Sequence, residues 1–352
     1  MTLYHLSHID LDGYGCQFVT DLFYDKKEFY NSNYGNEINA RLANMVIDME
    51  ENGDKEVHWL VTDLNLTTAQ CQFMETKREE LLAKGFNVTL ELLDHHSTGK
   101  EQAALFPWYY LDNDRCATKI TWDTMRHRFE DVVIPASVEQ MVCHINAIDL
   151  WHEKDEAFEF GKSAMRLIME SKDINKMLFP RHNVAYKVAL LHDAVQFLGD
   201  PYDVSSRHIA LDDAIHFMRK RYLQEDGKND TLDNLASRYV VKLLSDKKED
   251  FAIDYRVYKG ILTHAVGNIS VIGNDFLAAN EEFAFILDVS IRGTVSLRSS
   301  NRVDVAAMAK HLFDGGGHVN ASGGKLPAYK EFFEYRDLKA YIQTHIASKT
   351  EG

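Results

Sequence analysis

The stretch "HLSHIDLDGYG", residues 5–15, carries a histidine and two aspartates at alternate positions where an apolar segment ends. In a β-strand, alternate side chains share one face, so His8, Asp10 and Asp12 are predicted to point the same way. Three such groups in a partly buried place are unfavourable unless a cation compensates them. The stretch therefore predicts a strand that ends at a metal site.

The chain around this stretch alternates two kinds of apolar pattern up to about residue 150. Runs at "LYHL", "VHWLV" and "VTLELL" are typical of buried strands, whereas residues 14–27, 37–51 and 68–84 have helical spacing. Such alternation predicts a parallel sheet covered by helices, in which ligands bind outside the carboxyl ends of the strands.

Further acidic and histidine residues follow the ends of other predicted elements. Asp63 ends the strand in "WLVTDLNLT", the "DHH" of residues 94–96 ends the strand in "LELLDHHSTG", and Asp149 closes the helix in "VCHINAIDLWHEKD". The candidate metal ligands are His8, Asp10, Asp12, Asp63, His95 and Asp149. Carboxylates and imidazoles without a thiolate suit manganese or magnesium better than structural zinc. Six ligands are too many for one ion that must also leave room for substrate, so we predict two metal ions that share a carboxylate and support phosphoester hydrolysis.

The C-terminal part carries a second candidate site. "FAFILDVSIRGTVSLRSS" is typical of a hairpin that turns near Gly293, and "DVAAMAKHLF" of a helix that leads into "DGGGHVNASGG". Consecutive glycines let backbone amides approach an anion, although a permissive loop after a helix has the same composition. An arginine can bind a phosphate through two donors, and serines add further donors. The candidate substrate-binding residues are Arg298, Ser299, Ser300, Gly315, Gly316, Gly317, His318 and, at the start of the helix "CATKITWD", Arg115, which is equally interpretable as a surface charge.

Taken together, these motifs resemble the DHH phosphoesterases, a family with an associated C-terminal domain. "SHIDLDG" is similar to the first family motif, Asp63 to the second, "DHH" to the third, Asp149 to the fourth, and "GGGHVNASGG" to the C-terminal signature. The resemblance implies that His8 and Asp10 hold one manganese ion, that Asp12, His95 and Asp149 hold the other, and that Asp63 bridges them.

The same resemblance implies roles for the remaining motif residues. His96 would face the scissile phosphate, Asp94 would orient a neighbouring histidine, and Arg298 and His318 would recognise the nucleotide. His8 and Asp10 are separated by one residue, as in the RecJ-like branch, whereas many nanoRNases have three. This spacing leaves open how the two metals share the ligands of the first motif.

Composition limits the class of partner. The 352 residues are 45% hydrophobic and 26% charged, and 39 basic against 54 acidic residues give a net charge of −15. A general affinity for long DNA or an anionic membrane is therefore not expected. No N-terminal signal and no stretch of membrane-spanning length stand out, so we predict a cytoplasmic protein. Homodimer formation is left open.

The sequence predicts an α/β protein of two lobes. Residues 1–154 form the metal-binding catalytic domain, residues 155–248 a helical linker, and residues 249–352 a smaller C-terminal α/β substrate-binding domain with the GGGH motif. In the linker, "VAYKVALLHDAVQFLG", "ALDDAIHFMRKRYLQ" and "LDNLASRYVVKLL" carry apolar residues at helical spacing. The substrate is expected between the lobes.

The function that the family resemblance favours is manganese-dependent hydrolysis of short oligonucleotides or dinucleotides to mononucleotides, as in nanoRNases. Hydrolysis of a cyclic dinucleotide such as cyclic di-AMP, or of phosphoadenosine phosphate, is the alternative, because both present similar phosphates. A RecJ-type exonuclease is disfavoured by the net charge of −15. A nucleotide sensor without turnover is disfavoured because every expected metal ligand is present.

Overall fold

The computed structural model describes residues 1–199, 202–225, 227–327 and 329–350. The strands are β1 (Thr2–Ser7), β2 (Lys27–Asn31), β3 (Glu56–Thr62), β4 (Asn87–Asp94), β5 (Tyr109–Leu111), β6 (Ala252–Tyr255), β7 (Tyr258–His264), β8 (Phe285–Val289), β9 (Thr294–Ser299), β10 (Gly316–His318) and β11 (Ala321–Lys325). Over these residues, no helix has both the length and the apolar character needed to cross a membrane.

The helices account for most of the remaining described residues. They are α1 (Leu11–Asp21), α2 (Asn36–Asn52), α3 (Thr68–Ala83), α4 (Lys100–Leu105), α5 (Ala117–Arg128), α6 (Ala136–Asp149), α7 (Phe158–Glu170), α8 (Pro180–Ala194), α9 (Arg207–Leu223), α10 (Leu232–Asp246), α11 (Lys248–Phe251), α12 (Ile269–Ala279), α13 (Val305–Phe313) and α14 (Tyr335–Thr350). Short 3₁₀ turns lie at Ser97–Gly99 and Val195–Leu198.

The first five strands form a parallel sheet in the order β2-β1-β3-β4-β5. β1 pairs with both β2 and β3, so the chain adds one strand on one side of β1 and then continues on the other. This reversal is the switch point at which open α/β sheets bind ligands, outside the carboxyl ends of the central strands. The prediction of a parallel sheet covered by helices is confirmed.

Apolar stripes on α2 and α3 form the core on one face of this sheet. On α2, Ile38, Leu42, Met45 and Met49 recur at intervals of three and four residues, and all four are buried. Fully burying side chains of this size stabilises a fold by about 1.5–3 kcal/mol each. The fully buried Trp59 of β3 belongs to the same cluster.

The first strand ends earlier than the sequence pattern predicts. β1 stops at Ser7, Asp10 caps α1 by accepting a hydrogen bond from the Gly13 amide at 3.0 Å, and Asp12 already lies in the helix. The prediction that His8, Asp10 and Asp12 share one face of a strand is therefore wrong. Alternation over five residues does not distinguish a strand from a turn whose aspartate caps a helix. Gly13 permits this turn, since a Cβ there would lie 2.3 Å from the His8 carbonyl oxygen.

The C-terminal strands form a mixed sheet in the order β10-β11-β9-β8-β7-β6. β7 and β8 pair in parallel, and the other neighbouring strands pair antiparallel. The predicted hairpin is confirmed as β8 and β9, which turn at Gly293 with a positive φ of 75°. The helix predicted before the glycine-rich motif is confirmed as α13.

The described residues fall into two compact units. The parallel-sheet unit comprises the described residues of 1–172 and 180–218, and the mixed-sheet unit those of 173–179 and 219–352. The helices predicted in the middle of the chain are confirmed as α8, α9 and α10, of which α8 and most of α9 belong to the parallel-sheet unit and α10 to the mixed-sheet unit. The two-domain α/β fold is thus confirmed, and the boundaries at residues 154 and 248 stay predictions.

Candidate functional site

The carboxyl edge of the parallel sheet brings together the candidate metal ligands. We call His8, Asp10, Asp12, Asp63, His95 and Asp149 the ligand cluster. Its members lie just beyond the ends of β1, β3 and β4, in the first turn of α1 and at the last residue of α6. Residues that are far apart in sequence meet because parallel strands end at one edge.

One part of the ligand cluster surrounds His8. Its Nδ1 lies 2.8 Å from Oδ2 of Asp10 and 3.8 Å from Oδ2 of Asp63. His8 Nδ1 and Asp63 Oδ2 are both buried, and apart from these close approaches they have no hydrogen-bond partner among the described residues. One ligand atom from each residue lies within 4.8 Å of the others, so these three can hold one ion.

A second part surrounds His95. Its Nε2 lies 3.4 Å from Oδ1 of Asp63, 3.6 Å from Oδ2 of Asp149 and 3.7 Å from Oδ2 of Asp12. Nitrogen and oxygen atoms at these separations are close enough to bind one cation and too far apart for strong direct hydrogen bonds. This grouping is the one that the family resemblance implies for the second metal.

Asp63 lies between the two histidines, one carboxylate oxygen toward each. It is 2% exposed, and its backbone is left-handed with φ of 55°. Aspartate tolerates this conformation better than most residues, at a cost of about 1–3 kcal/mol. The hydrogen bond from the Asp63 amide to the Leu93 carbonyl, 3.1 Å long, holds the turn against β4.

Asp12 is held by the N-terminus of α5. Its two carboxylate oxygens accept hydrogen bonds from the amides of Ala117 and Thr118, each 2.8 Å long, and the Thr118 hydroxyl donates to its carbonyl oxygen. The positive end of the helix dipole stabilises a carboxylate at this position. Each oxygen keeps a lone pair that can bind a cation.

The electrostatics of the ligand cluster indicate a missing positive charge. Burial, reinforced by Asp12 and Asp10, raises the pKa of Asp63 well above its ordinary value. Burial and the same two carboxylates also raise the pKa of Asp149. Buried carboxylates that repel one another, beside polar atoms without partners, fit divalent cations with oxygen and nitrogen ligands.

The structure adds Cys116 to the surroundings of the ligand cluster. Its thiol lies with carboxylate oxygens of Asp12 and Asp149 in a group within 4.8 Å. Burial and the charge of Asp12 raise the pKa of this thiol well above its ordinary value. No sequence signal pointed to Cys116, because a single cysteine before a helix has no metal-binding spacing.

His96 is held by a chain of two hydrogen bonds. Its Nδ1 lies 2.6 Å from Oδ1 of Asp94, and the hydroxyl of Tyr109 donates to Oδ2 of Asp94 at 2.8 Å. Asp94 is fully buried, and although burial of the imidazole lowers the pKa of His96, this carboxylate raises it above the ordinary value. Asp94 therefore contacts a neighbouring histidine, as the resemblance implies, and fixes the orientation of the ring.

Tyr34, which sequence reasoning missed, lies against two of the histidines. Its hydroxyl is 3.0 Å from Nε2 of His96, and its ring centroid is 4.7 Å from that of His8. Tyr34 is 44% exposed and follows β2, a strand that the sequence analysis did not identify. No local pattern marks such a loop residue, since its position depends on the sheet order.

In the mixed-sheet unit, Arg298 and His318 share a row across three strands. Arg298 of β9 lies opposite Ala321 of β11, which lies opposite His318 of β10. Directly opposed residues in antiparallel strands project from the same face, so the arginine and the histidine flank the small alanine. The guanidinium donates to the Leu297 carbonyl and the Ser270 hydroxyl, which leaves further donors for an anion.

The structure does not bring Ser299 together with Arg298. Its hydroxyl donates to the Ala284 carbonyl and accepts from the Val303 amide, and it is 2% exposed. Ser300, the next residue, is exposed.

The three glycines have separate local surroundings. A Cβ at Gly315 would lie 2.0 Å from the Gly323 carbonyl oxygen, and Gly317 has φ of 146°. Gly316 has open space around it. Two of the three glycines are therefore required by the hairpin itself, and their role toward an anion stays a prediction.

Arg115 belongs to a salt-bridge network. Its guanidinium lies 2.7 Å from Asp112 and 2.6 Å from Asp123, and it donates to the Tyr110 hydroxyl at 3.0 Å. The structure therefore places this arginine in contacts within its own surface segment, and substrate binding by Arg115 stays a prediction.

This chain is similar to known proteins over almost its whole length. No family model matches it. A 3′,5′-cyclic-nucleotide phosphodiesterase from Helicobacter pylori is 38% identical over 346 residues, covering 97% of this chain and 98% of that protein. The crystal structure of an uncharacterized protein from Helicobacter pylori G27 has a TM-score of 0.91 at 38% identity and covers 99% of both chains. Both units are therefore shared with these proteins.

Proposed function

The chain belongs to the family of the Helicobacter pylori 3′,5′-cyclic-nucleotide phosphodiesterase, and from this premise we propose that it is a two-metal-ion phosphodiesterase of small nucleotides. It is an enzyme that hydrolyses phosphoester bonds. The first substrate class that we propose is 3′,5′-cyclic nucleotides, on which the relative is named. The motifs that resemble those of DHH phosphoesterases support assignment of this family to the DHH group.

The observation that carries the proposal is the position of Asp63. Its buried carboxylate lies between His8 and His95 and lacks a compensating charge. His8, Asp10 and Asp63 would hold one ion, and Asp12, Asp63, His95 and Asp149 the other. Manganese is the preferred ion for this set, with magnesium as the alternative. When bound, two such ions supply an activated water and neutralise charge that develops on the phosphoryl oxygens.

The chain's own residues orient the substrate around that chemistry. Asp94, itself bonded to Tyr109, binds Nδ1 of His96. Nε2 of His96 would donate to a phosphoryl oxygen when substrate displaces the Tyr34 hydroxyl. Such fixed donors lower a barrier because they need no reorganisation during the reaction. His96 therefore has the proposed role of a catalytic hydrogen-bond donor, and Asp94 positions it.

Short oligonucleotides are the second proposed substrate class. A linear dinucleotide or pentanucleotide carries a further phosphate or terminal group, for which the row of Arg298 and His318 has suitable donors. A cyclic mononucleotide has a single phosphate. Turnover of linear substrates would thus depend on this row more strongly than turnover of cyclic mononucleotides.

A substrate panel tests the proposal. Purified protein is stripped with chelator, reloaded with Mn²⁺, Mg²⁺ or Ca²⁺, and supplied in parallel with cyclic AMP, a dinucleotide, a pentanucleotide, cyclic di-AMP and phosphoadenosine phosphate. We expect chelator to abolish hydrolysis, Mn²⁺ to restore it best, and cyclic AMP to have the highest kcat/KM. Full activity in excess chelator would contradict the two-metal proposal.

Paired variants connect the activity to the ligand cluster. His95→Ala should lose bound metal and activity together, whereas His127→Ala, whose side chain is 89% exposed, should lose neither. Equal metal content in the two variants, measured by mass spectrometry of the eluted metal, would show that the ion binds elsewhere.

A further inference from the structure

A cavity of about 400 Å³ lies where the N-termini of α2 and α3 meet. The apolar side chains of Leu42 and Phe73 line one part of it, and the polar side chains of Asn36, Asn39, Thr67 and Gln70 line the other. The volume falls in the range of sites that take a small organic ligand.

The cavity adjoins the ligand cluster along the chain. Gly35, which lines it, directly follows Tyr34, whose hydroxyl is 3.0 Å from His96. Thr67 lies four residues after Asp63, and between them Asn65 donates to Thr98, just beyond the DHH residues, at 2.9 Å. Residues beside the ligand cluster and residues that line the cavity therefore come from the same two loops, after β2 and after β3.

The polar lining is made of uncharged groups. Nε2 of Gln70 donates to Oδ1 of Asn39 at 2.8 Å, and Oε1 of Gln70 accepts from the Thr67 amide at 2.8 Å. These bonds fix both carboxamides and leave Nδ2 of Asn39 without a partner in the described part of the chain. No lysine or arginine lines the described cavity, so the lining is unsuited to a phosphate.

A flat, neutral ring with hydrogen-bonding edges matches this lining. Asparagine and glutamine amides pair with the edges of bases, and aromatic rings stack on base faces. Phe73, which is partly buried against the core, offers such a ring surface. We infer that the cavity binds the base of the nucleotide whose phosphate lies at the ligand cluster. This inference rests on the proposed function.

The test compares phosphodiesters with and without a base. Asn39 is exposed, so Asn39→Ala removes its amide without opening the core. With cyclic AMP we expect KM to rise about 10-fold or more while kcat changes little, because one base contact is lost. With bis(p-nitrophenyl) phosphate, which has no base, both constants should stay within about twofold. Glu79→Gln, an exposed change on α3, is the matched control and should match wild type on both substrates.

A second readout does not require turnover. Calorimetry on metal-free protein with adenosine alone should detect binding by wild type and Glu79→Gln, and about 10-fold weaker binding by Asn39→Ala and Phe73→Leu. Equal loss of activity toward both phosphodiesters in Asn39→Ala, or adenosine binding that Asn39→Ala leaves unchanged, would overturn the base site. If wild type with Mn²⁺ hydrolyses no member of the substrate panel, the proposed function fails, and adenosine calorimetry still decides whether the cavity binds a base.

Discussion

The two units differ in how deeply they bury their candidate functional side chains. In the parallel-sheet unit, Asp12, Asp63 and Asp94 are each 2% exposed or less, and the carboxylates raise one another's cost of ionisation. In the mixed-sheet unit, His318 is exposed and Arg298 is half-buried on the face of a sheet. Buried like charges destabilise a fold until a cation binds, whereas an arginine at the surface of a sheet costs little. The first arrangement suits chemistry on a metal, and the second suits recognition of an anion.

Left-handed backbone occurs in both units, at glycines and also at other residues, among them Trp151 in the parallel-sheet unit and Ala265 and Asp314 in the mixed-sheet unit. The mixed-sheet unit uses glycine at Gly293 and Gly317, where positive φ carries no Cβ penalty. The parallel-sheet unit has an aspartate in this conformation at Asp63, in the middle of the ligand cluster. A strained backbone at Asp63 indicates that placing its carboxylate in the ligand cluster outweighs the conformational energy of that strain.

The strongest test of this contrast is to remove the buried charge. Asp63→Asn should lower kcat/KM by about 1,000-fold or more, because both ions lose a ligand. In the presence of chelator, the same variant should unfold at the same temperature as wild type or higher, since Asp10 and Asp12 lose a repelling neighbour. Activity assays and thermal unfolding with and without Mn²⁺ measure both effects.

Asp25→Asn is the control for that experiment, because Asp25 is exposed and lies outside the ligand cluster. It should change neither activity nor unfolding temperature. If Asp63→Asn retains its metal and is less stable than wild type in chelator, the buried carboxylate is structural and the contrast between the units fails.

A matched pair of glycines tests the mixed-sheet unit. Gly315→Ala places a Cβ 2.0 Å from the Gly323 carbonyl oxygen and should lower the free energy of unfolding by about 3 kcal/mol, since β10 and β11 must separate. Gly316→Ala meets no atom within 4 Å and should change it by less than about 0.5 kcal/mol. Urea unfolding of both variants gives the comparison. Similar values for the two would show that the hairpin adapts to either side chain.

Arg298 tests whether the mixed-sheet unit contributes binding and not metal. Arg298→Ala should keep the wild-type metal content and raise KM for a dinucleotide by about 10- to 100-fold, the effect of losing a charged hydrogen bond. Arg292→Ala, at the exposed tip of the hairpin, is the control. An unchanged KM in Arg298→Ala, or a loss of metal from this variant, would contradict the idea that the mixed-sheet unit binds substrate and the parallel-sheet unit binds metal.

The smallest effect concerns acid stability of the parallel-sheet unit. Burial, with the neighbouring charge of His58, lowers the pKa of His5 from 6.5 to about 3, and the ring is bound to Thr20 and Thr62 at 2.9 and 2.8 Å. As pH falls below 6.5, the unfolded chain takes up this proton and the folded chain does not, so stability falls. Between pH 6.5 and about pH 5, this group should account for a loss of about 1–2 kcal/mol.

His5→Gln keeps a hydrogen-bonding side chain and removes the titration. Its urea midpoint in chelator should depend less on pH over that interval than the wild-type midpoint does, whatever its absolute stability. Parallel curves for the two proteins would assign the acid sensitivity to other groups.

Local patterns determined much of this protein without tertiary information. The apolar runs of β1, β3 and β4, the helical stripes of α2, α3 and α6, and the hairpin at Gly293 were predictable, because period and turn chemistry are local. The acidic and histidine residues at strand ends also indicated a metal site, since parallel strands end together. Although the assignment of His8, Asp10 and Asp12 to a strand is wrong, the structure places all three at the predicted carboxyl edge of the sheet.

Tertiary structure alone decided which partners these residues meet. β2, a short edge strand, and the loop that carries Tyr34 to His96 had no local signal. The amides of α5 that hold Asp12 lie 105 and 106 residues away in sequence, and the cavity at Asn39 and Phe73 exists only where two helix ends meet. Sequence pattern reports the surroundings of a residue within a few turns of the chain, whereas burial, charge repulsion and cavities depend on which distant segments the sheet order brings into contact.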